Sequence, residues 1–388
     1  MKIESVTCYP LRIPGHPYVG GHDERKNTGK IGDYTLHANY RAIYTLNAES
    51  LIVKISTDTG IVGWGETQSA ILPHVVAKIV EELVAPGLIG HDPFNVSVLR
   101  DRAYDRMRDR GHDSGLIVDA ISACDIALWD ILGKATGKPV YKLLGGNYRN
   151  TVPCYVSGVP ALSVQEQAES ISRWRDDGFN RFKISLGYNV REDIAHMKKL
   201  RDAVGDEPQL LVDSHWAFDI NQAIKIGRAF ENLNVELMEC PLDSEIVAKY
   251  SELCRTLDLP IALGEEFRTR FRFKERIDAR ALDIAQPDIG RLGITEGMRV
   301  IALCGAAGLP VAPHIGSGLG PYTAASLHVA AATENLLFLE FQPTQIDVCE
   351  KYFKASLRPV KGAYELPEVP GLGVEPLDDT LKKYAFSK

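Results

Sequence analysis

The chain has 388 residues, 45% hydrophobic and 24% charged, the composition of a folded protein of two or three domains; disordered, collagen-like and low-complexity classes are excluded. A formal charge of −7, with Lys and Arg scattered along the chain, leaves no electrostatic footprint for nucleic acid. Seven cysteines, odd in number and never in a C-x-x-C pattern, read as reduced thiols; with no apolar leader after Met1 and no membrane-length apolar run, the expectation is a cytoplasmic protein with no membrane partner.

Residues 15–41 carry many Gly, His, Tyr and charged residues with little periodicity, so they read as a surface loop long enough to act as a lid, with His16, His22, Lys26, Tyr34 and His37 available to a substrate. Leu51, Val53 and Ile55 then alternate with Ile52, Lys54 and Ser56, and Asp58-Thr59-Gly60 turns the chain toward Val62 and Trp64, which predicts a hairpin. From Ile117, apolar residues at Ile121, Cys124, Leu128 and Leu132 recur at helical spacing until Gly137-Lys138-Pro139.

After Gly145-Gly146 the pattern changes to eight short apolar runs separated by helical stretches: 151–158, 182–187, 210–215, 236–240, 261–266, 283–288, 311–316 and 337–341. Eight such units predict a closed α/β barrel. Polar tips strengthen that reading, because Asp213, Glu239, Glu265, Asp288, His314 and Glu340 are spaced 26, 26, 23, 26 and 26 residues apart. In a parallel barrel every strand ends on the same face, so one polar residue per tip builds one site.

Taken singly, each of Asp213, Glu239 and Glu265 reads as a surface carboxylate or a helix cap. On three adjacent strand ends they form an anionic cluster that calls for a hard divalent cation, Mg²⁺ first and Mn²⁺ second. His314 and Asp288 end neighbouring strands and predict a His-Asp general base. Lys183, at the tip of the second run, is placed either to neutralise a substrate carboxylate or to act as a base. His215, two residues beyond Asp213, shares its strand face and is placed to protonate a leaving group.

Several motifs carry a resemblance: Gly63-Trp64-Gly65-Glu66, Asp125-Ile126-Ala127-Leu128-Trp129-Asp130, Leu143-Leu144-Gly145-Gly146, Val212-Asp213, Met238-Glu239-Cys240-Pro241, Gly264-Glu265, Gln286-Pro287-Asp288, Pro313-His314 and Leu339-Glu340. Over nearly its full length the chain resembles the enolase superfamily, in its mandelate racemase/muconate lactonizing enzyme-like subgroup. The resemblance implies a modified TIM (β/α) barrel with an α+β N-terminal capping domain (1–125, with the barrel at 126–360), completed by a C-terminal segment (361–388). It also implies Mg²⁺ at Asp213, Glu239 and Glu265, a homo-oligomer, and abstraction of the proton α to a carboxylate. Glu340 would hydrogen-bond a substrate carboxylate or hydroxyl, in protonated form.

Departures from the pattern choose among reactions. Many relatives have Lys-x-Lys on the second strand, whereas this chain has Lys183-Ile184-Ser185, so a two-base racemase or epimerase loses its second base while a one-base elimination loses nothing. Asp213-Ser214-His215 resembles the Asp-x-His of galactonate dehydratase-like members, whose histidine is the general acid. Cys240 stands where a second glutamate is common, and Leu292-Gly293 replaces a double glycine, neither removing a ligand. The expectation is an acid-sugar dehydratase in which His314 and His215 are base and acid and Lys183, Ser185 and Glu340 bind substrate. A cycloisomerase opening an anhydro-sugar acid or sugar-acid lactone through the same enediolate is the alternative. A metal-dependent hydrolase ranks low because only two histidines lie at tips, and the absence of any gap among the polar tips argues against a non-enzymatic binding or scaffold barrel.

Overall fold

A computed structural model describes residues 1–16, 27–37, 40, 42–159 and 163–386. In the N-terminal part, Ile3–Pro14, Asn47–Thr57 and Val62–Thr67 form an antiparallel sheet with Asn47–Thr57 in the middle, which includes the expected hairpin. Its period-2 pattern divides its side chains between two cores. Leu51, Val53 and Ile55 pack with Val118, Ile121 and Ala127 of the helix Leu116–Thr136, while Ile52 joins the core of the barrel.

The Gly-Trp-Gly-Glu motif is explained at this contact. A Cβ on Gly63 or Gly65 would run into the carbonyl oxygens of Ala127 and Ala123, so only glycine lets the edge strand lie against the helix backbone. The helix carries the Asp-Ile-Ala-Leu-Trp-Asp motif, which ties three parts of the chain together. Asp125 accepts the Thr295 amide (2.9 Å), and Asp130 accepts the amides of Trp64 (2.9 Å) and Leu372 (2.8 Å). The expected division at 125/126 falls inside this continuous helix.

Residues 15–41 are not one loop. Asn27–Ile31, Tyr34–His37 and Ile43–Tyr44 form a small antiparallel sheet, and the two-residue turn Gly32-Asp33, with Gly32 at φ 58°, is the hairpin signal that the charged composition obscured. The Tyr34 hydroxyl is engaged within the N-terminal part, donating to Glu49 (3.2 Å) and accepting the Leu72 amide (2.9 Å). His16 lies edge-on to Tyr352. His22 and Lys26 fall outside the described residues.

The barrel follows the predicted order. Strands one to six are Thr151–Ser157, Arg181–Ser185, Gln209–Asp213, Val235–Glu239, Ile261–Leu263 and Ile284–Ala285, all parallel to their neighbours, and strand eight, Leu339–Phe341, pairs in parallel with strand one. The seventh position is reduced to isolated bridges, Ala285 with Val311, Val311 with Leu336 and Asp288 with His314, which close the circle. A helix follows every strand position, and reciprocal Ser163/Glu166 and Asp219/Gln222 caps start two of them. The C-terminal segment lays Ala363–Glu365 antiparallel on strand one and reaches the first cap strand through a bridge between Ala385 and Leu11. All seven cysteines are free, and no helix among the described residues is long and apolar enough to cross a membrane.

Candidate active site

Strand alternation builds the site. Tyr155, Leu211, Leu237, Ala262, Ile284 and Ala312 form an apolar plug inside the barrel, with Phe338 against it. Two residues further along each strand, on the same inward side, stand Ser157, Asp213, Glu239, Gly264, Gln286, His314 and Glu340. The polar layer is therefore the next storey above an apolar one. Glu265 is one position out of this phase because Gly264, at φ 137°, swings the chain off the strand.

His314 and Asp288 meet as expected: Nδ1 lies 2.7 Å from Asp288 Oδ2, and the pair is buried. That oxygen also accepts the Tyr322 hydroxyl (2.6 Å), while Asp288 Oδ1 caps the following helix by accepting the Arg291 amide (3.1 Å). With its Nδ1 proton committed to Asp288, the imidazole turns Nε2 toward Glu265 (3.6 Å) and Glu340 (3.9 Å). Burial alone would lower the His314 pKa, but Glu265, Glu340 and Asp288 outweigh it and push it up to about 10.

Lys183 is not at the strand tip. It stands two residues before Ser185, pairing with Ser157 on one side and Leu211 on the other; it is 3% exposed and reaches Glu239 (3.0 Å) and Glu340 (3.1 Å). Burial opposes its charge, but Glu239 and Glu340 overcome that and hold its pKa well above the ordinary lysine value. It is a fixed cation, not a snorkelling one. Glu340 differs from the expected protonated acid. Burial would raise its pKa, yet Lys183 and His314 pull it below the ordinary value, and its Oε2 accepts the Ile315 amide (2.9 Å).

His215 reaches the site by a different route from strand alternation. Strand three ends at Asp213, and His215 and Trp216 sit in the left-handed region at φ 48° and 53°. This turn brings His215 Nδ1 to 3.2 Å from Asp213 Oδ1, which also accepts the His215 amide (3.0 Å). The ring stacks on Tyr40 of the cap, with centroids 4.1 Å apart.

The donor set fits a hard cation. Among the described residues, Lys183 and His314 face Asp213, Glu239, Glu265, Asp288 and Glu340 from inside the cluster, and Arg291 approaches Asp288 from the following helix (3.8 Å). Glu265 shows the imbalance: burial first, and then repulsion from Glu239 and Asp213 against the pull of His314, hold its pKa well above the ordinary value. Ligand atoms of Glu239, Glu265 and His314 lie within 4.8 Å of one another; Asp213 is outside that trio, with Lys183 Nζ 3.9 Å from its Oδ2.

Sequence reasoning missed three contributors. Tyr322 holds Asp288, Gln286 donates to Glu239 (2.7 Å), and Glu66 of the cap accepts the amides of Leu319 (2.7 Å), Gly320 (3.0 Å) and Tyr322 (3.0 Å). Only Glu66 and Gln286 left a signal, as members of the sequence motifs; Tyr322 lies outside the spacing of the tips.

A β/α barrel with a buried carboxylate cluster facing a His-Asp pair, roofed by an α+β cap, defines a class of barrel enzymes, and comparison with known proteins gives the family. Residues 35–145 match the mandelate racemase / muconate lactonizing enzyme N-terminal domain, and residues 164–380 the enolase C-terminal domain-like family. The chain belongs to this family of enzymes within the enolase superfamily. It is 32% identical to an arabinonate dehydratase of Saccharolobus solfataricus over 87% of this chain and 90% of the relative. It is 30% identical to a D-galactarolactone cycloisomerase of Agrobacterium fabrum over 86% of this chain and 90% of the relative. A crystal structure of an enolase superfamily member from Agrobacterium tumefaciens, 33% identical, superposes with a TM-score of 0.93 and 98% coverage of both chains.

Proposed function

We propose that the protein is a Mg²⁺-dependent acid-sugar dehydratase: it removes the proton α to a sugar-acid carboxylate, eliminates the β-hydroxyl and releases a 2-keto-3-deoxy acid. The observation that carries this reading is a single His-Asp base, His314 fixed by Asp288, facing the carboxylate cluster while Ser185 stands where a second basic group would be needed for racemisation. Asp213, Glu239 and Glu265 are the oxygen donors for Mg²⁺, with Mn²⁺ as a substitute. Bound there, the ion supplies Lewis-acid stabilisation of the charge that develops on the substrate carboxylate.

The remaining work belongs to side chains. His314 Nε2 takes the α-proton, and Asp288 stabilises the resulting imidazolium. Of the carboxylates that raise the His314 pKa, Glu265 attracts the imidazolium most strongly, ahead of Glu340 and Asp288. Lys183 supplies positive charge, Ser185 and Glu340 contact substrate oxygens, and His215 protonates the departing hydroxyl.

A cycloisomerase uses the same residues, and the similarity to the D-galactarolactone cycloisomerase supports that second reading. Aldonates and aldarates are tested beside anhydro-sugar acids and lactones. A 2-keto-3-deoxy product from the open-chain acids alone supports the dehydratase, and one from the cyclic acids alone replaces it with the cycloisomerase.

A further inference from the structure

We infer that Tyr40, carried by the cap, is the residue that sets the ring plane of His215 and so makes leaving-group protonation depend on the cap being seated; this rests on the proposed role of His215 as general acid. Three aromatic rings form a column. His37 and Tyr40 stack with centroids 4.4 Å apart and planes 13° apart, and Tyr40 and His215 stack at 4.1 Å and 13°. Two rings this close and this parallel to Tyr40 cannot share one of its faces. One face is therefore taken by the cap and the other by the barrel.

The Tyr40 hydroxyl fastens the column across the two parts of the chain by donating to the Leu186 carbonyl (3.1 Å), just beyond the end of strand two. Tyr40 is buried, so the contact is not a surface coincidence. His215 needs such a support. It sits outside any strand, at a left-handed backbone position, and its Nδ1, 3.2 Å from Asp213 Oδ1, makes no hydrogen bond among the described residues. With the ring edge not pinned by a hydrogen bond, the stack on Tyr40 is the contact that sets its plane.

In the elimination, His314 takes the α-proton. The electron pair left at the α-carbon becomes the new C=C as the β-carbon–oxygen bond breaks, and His215 gives its proton to the departing oxygen, which leaves as water. His215 ends neutral and His314 protonated, and exchange with solvent resets both. The His215 step alone depends on the Tyr40 stack. Loss of the stack should slow elimination and leave α-proton removal intact.

The test uses the full-length protein with Mg²⁺ and a turned-over sugar acid in D₂O, following α-proton exchange and product formation together. Tyr40→Leu is expected to lower elimination kcat by about tenfold to a hundredfold, the cost of misplacing a catalytic group, with KM within about threefold and exchange retained. Tyr40→Phe, which keeps the stacked face and loses only the hydroxyl bond to Leu186, is expected to recover most of the kcat lost in Tyr40→Leu. In a His215→Asn background, Tyr40→Leu is expected to cost nothing further.

Equal loss of exchange and elimination in Tyr40→Leu, unchanged elimination, or additive losses in the double variant would each overturn the inference. His215→Asn eliminating at the wild-type rate would overturn the acid assignment itself, whatever Tyr40→Leu does. Tyr40→Met replaces Tyr40→Leu if the latter does not fold.

Discussion

Replacing Asp288 with Asn tests the base from its support. Every contact this carboxylate accepts comes from a donor: His314 Nδ1 and the Tyr322 hydroxyl on Oδ2, and the Arg291 amide on Oδ1. An amide group in either orientation therefore sets an NH₂ against a donor. With the NH₂ toward His314, the imidazole must take its other tautomer, which places a proton on Nε2 and leaves nothing there to accept the substrate's. With the NH₂ toward Arg291, the helix cap is lost and the charge that stabilises the imidazolium is gone. A hydrogen bond to a charged group contributes about 1.5–3 kcal/mol, equivalent to roughly a ten- to hundredfold change in rate. Because the tautomer adds to this, Asp288→Asn is expected to slow α-proton exchange in D₂O by at least about a hundredfold. Tyr322→Phe, which removes one of two donors on Oδ2 and leaves the carboxylate, is expected to cost less than about tenfold. Exchange within about threefold of wild type in a folded Asp288→Asn protein would refute the base assignment.

The repulsion at Glu265 predicts a signature in melting experiments. Glu265→Gln should raise the melting temperature of the metal-free protein and abolish the rise produced by Mg²⁺, which in wild type reflects a stabilisation of about 2.7 kcal/mol at a hundred times its Kd; an unchanged rise would remove Glu265 from the ligand set. Glu66→Gln sets an NH₂ against at least one of the three backbone amides it accepts after His314, Leu319 on one oxygen or Gly320 and Tyr322 on the other, and a loss of about 1–3 kcal/mol is expected in chemical denaturation; no loss would show that this segment is held otherwise. His328 predicts acid lability. Its Nδ1 accepts the Tyr141 amide (3.2 Å), its Nε2 lies 3.3 Å from the Leu372 carbonyl, and burial pushes its pKa down to about 4. The folded state thus resists a proton that the unfolded chain accepts below about 6.5, so stability is complete above that pH and falls by up to roughly 3 kcal/mol toward pH 4. His328→Gln should flatten this slope between pH 7 and 4.5, and identical slopes would show that other groups govern acid unfolding.

Much of the fold could be read from one-dimensional signals. Barrel strands are short apolar runs whose polar residues recur at nearly constant spacing, and that spacing reflects one strand, helix and return per unit, so Asp213, Glu239, Asp288, His314 and Glu340 were found together. Composition failed at residues 27–37, where charged and glycine-rich residues hid a hairpin formed at Gly32-Asp33. Alternation failed at His215 because a left-handed turn, not a strand, delivers it. Lys183 is not at the strand tip because the strand runs two residues further, to Ser185, which sequence spacing does not show. Tyr322, Glu66 and Tyr40 act from other elements, and only three-dimensional packing brings them to Asp288, to the loop after His314 and to His215.

The most direct measurement is proton NMR in D₂O of the Mg²⁺-loaded protein with aldonates and aldarates, using His314→Asn as the control. The account predicts a 2-keto-3-deoxy product from at least one open-chain acid, made by wild type and absent with His314→Asn. A product formed equally by His314→Asn, or no α-proton exchange in any acid despite Mg²⁺ binding, would contradict it.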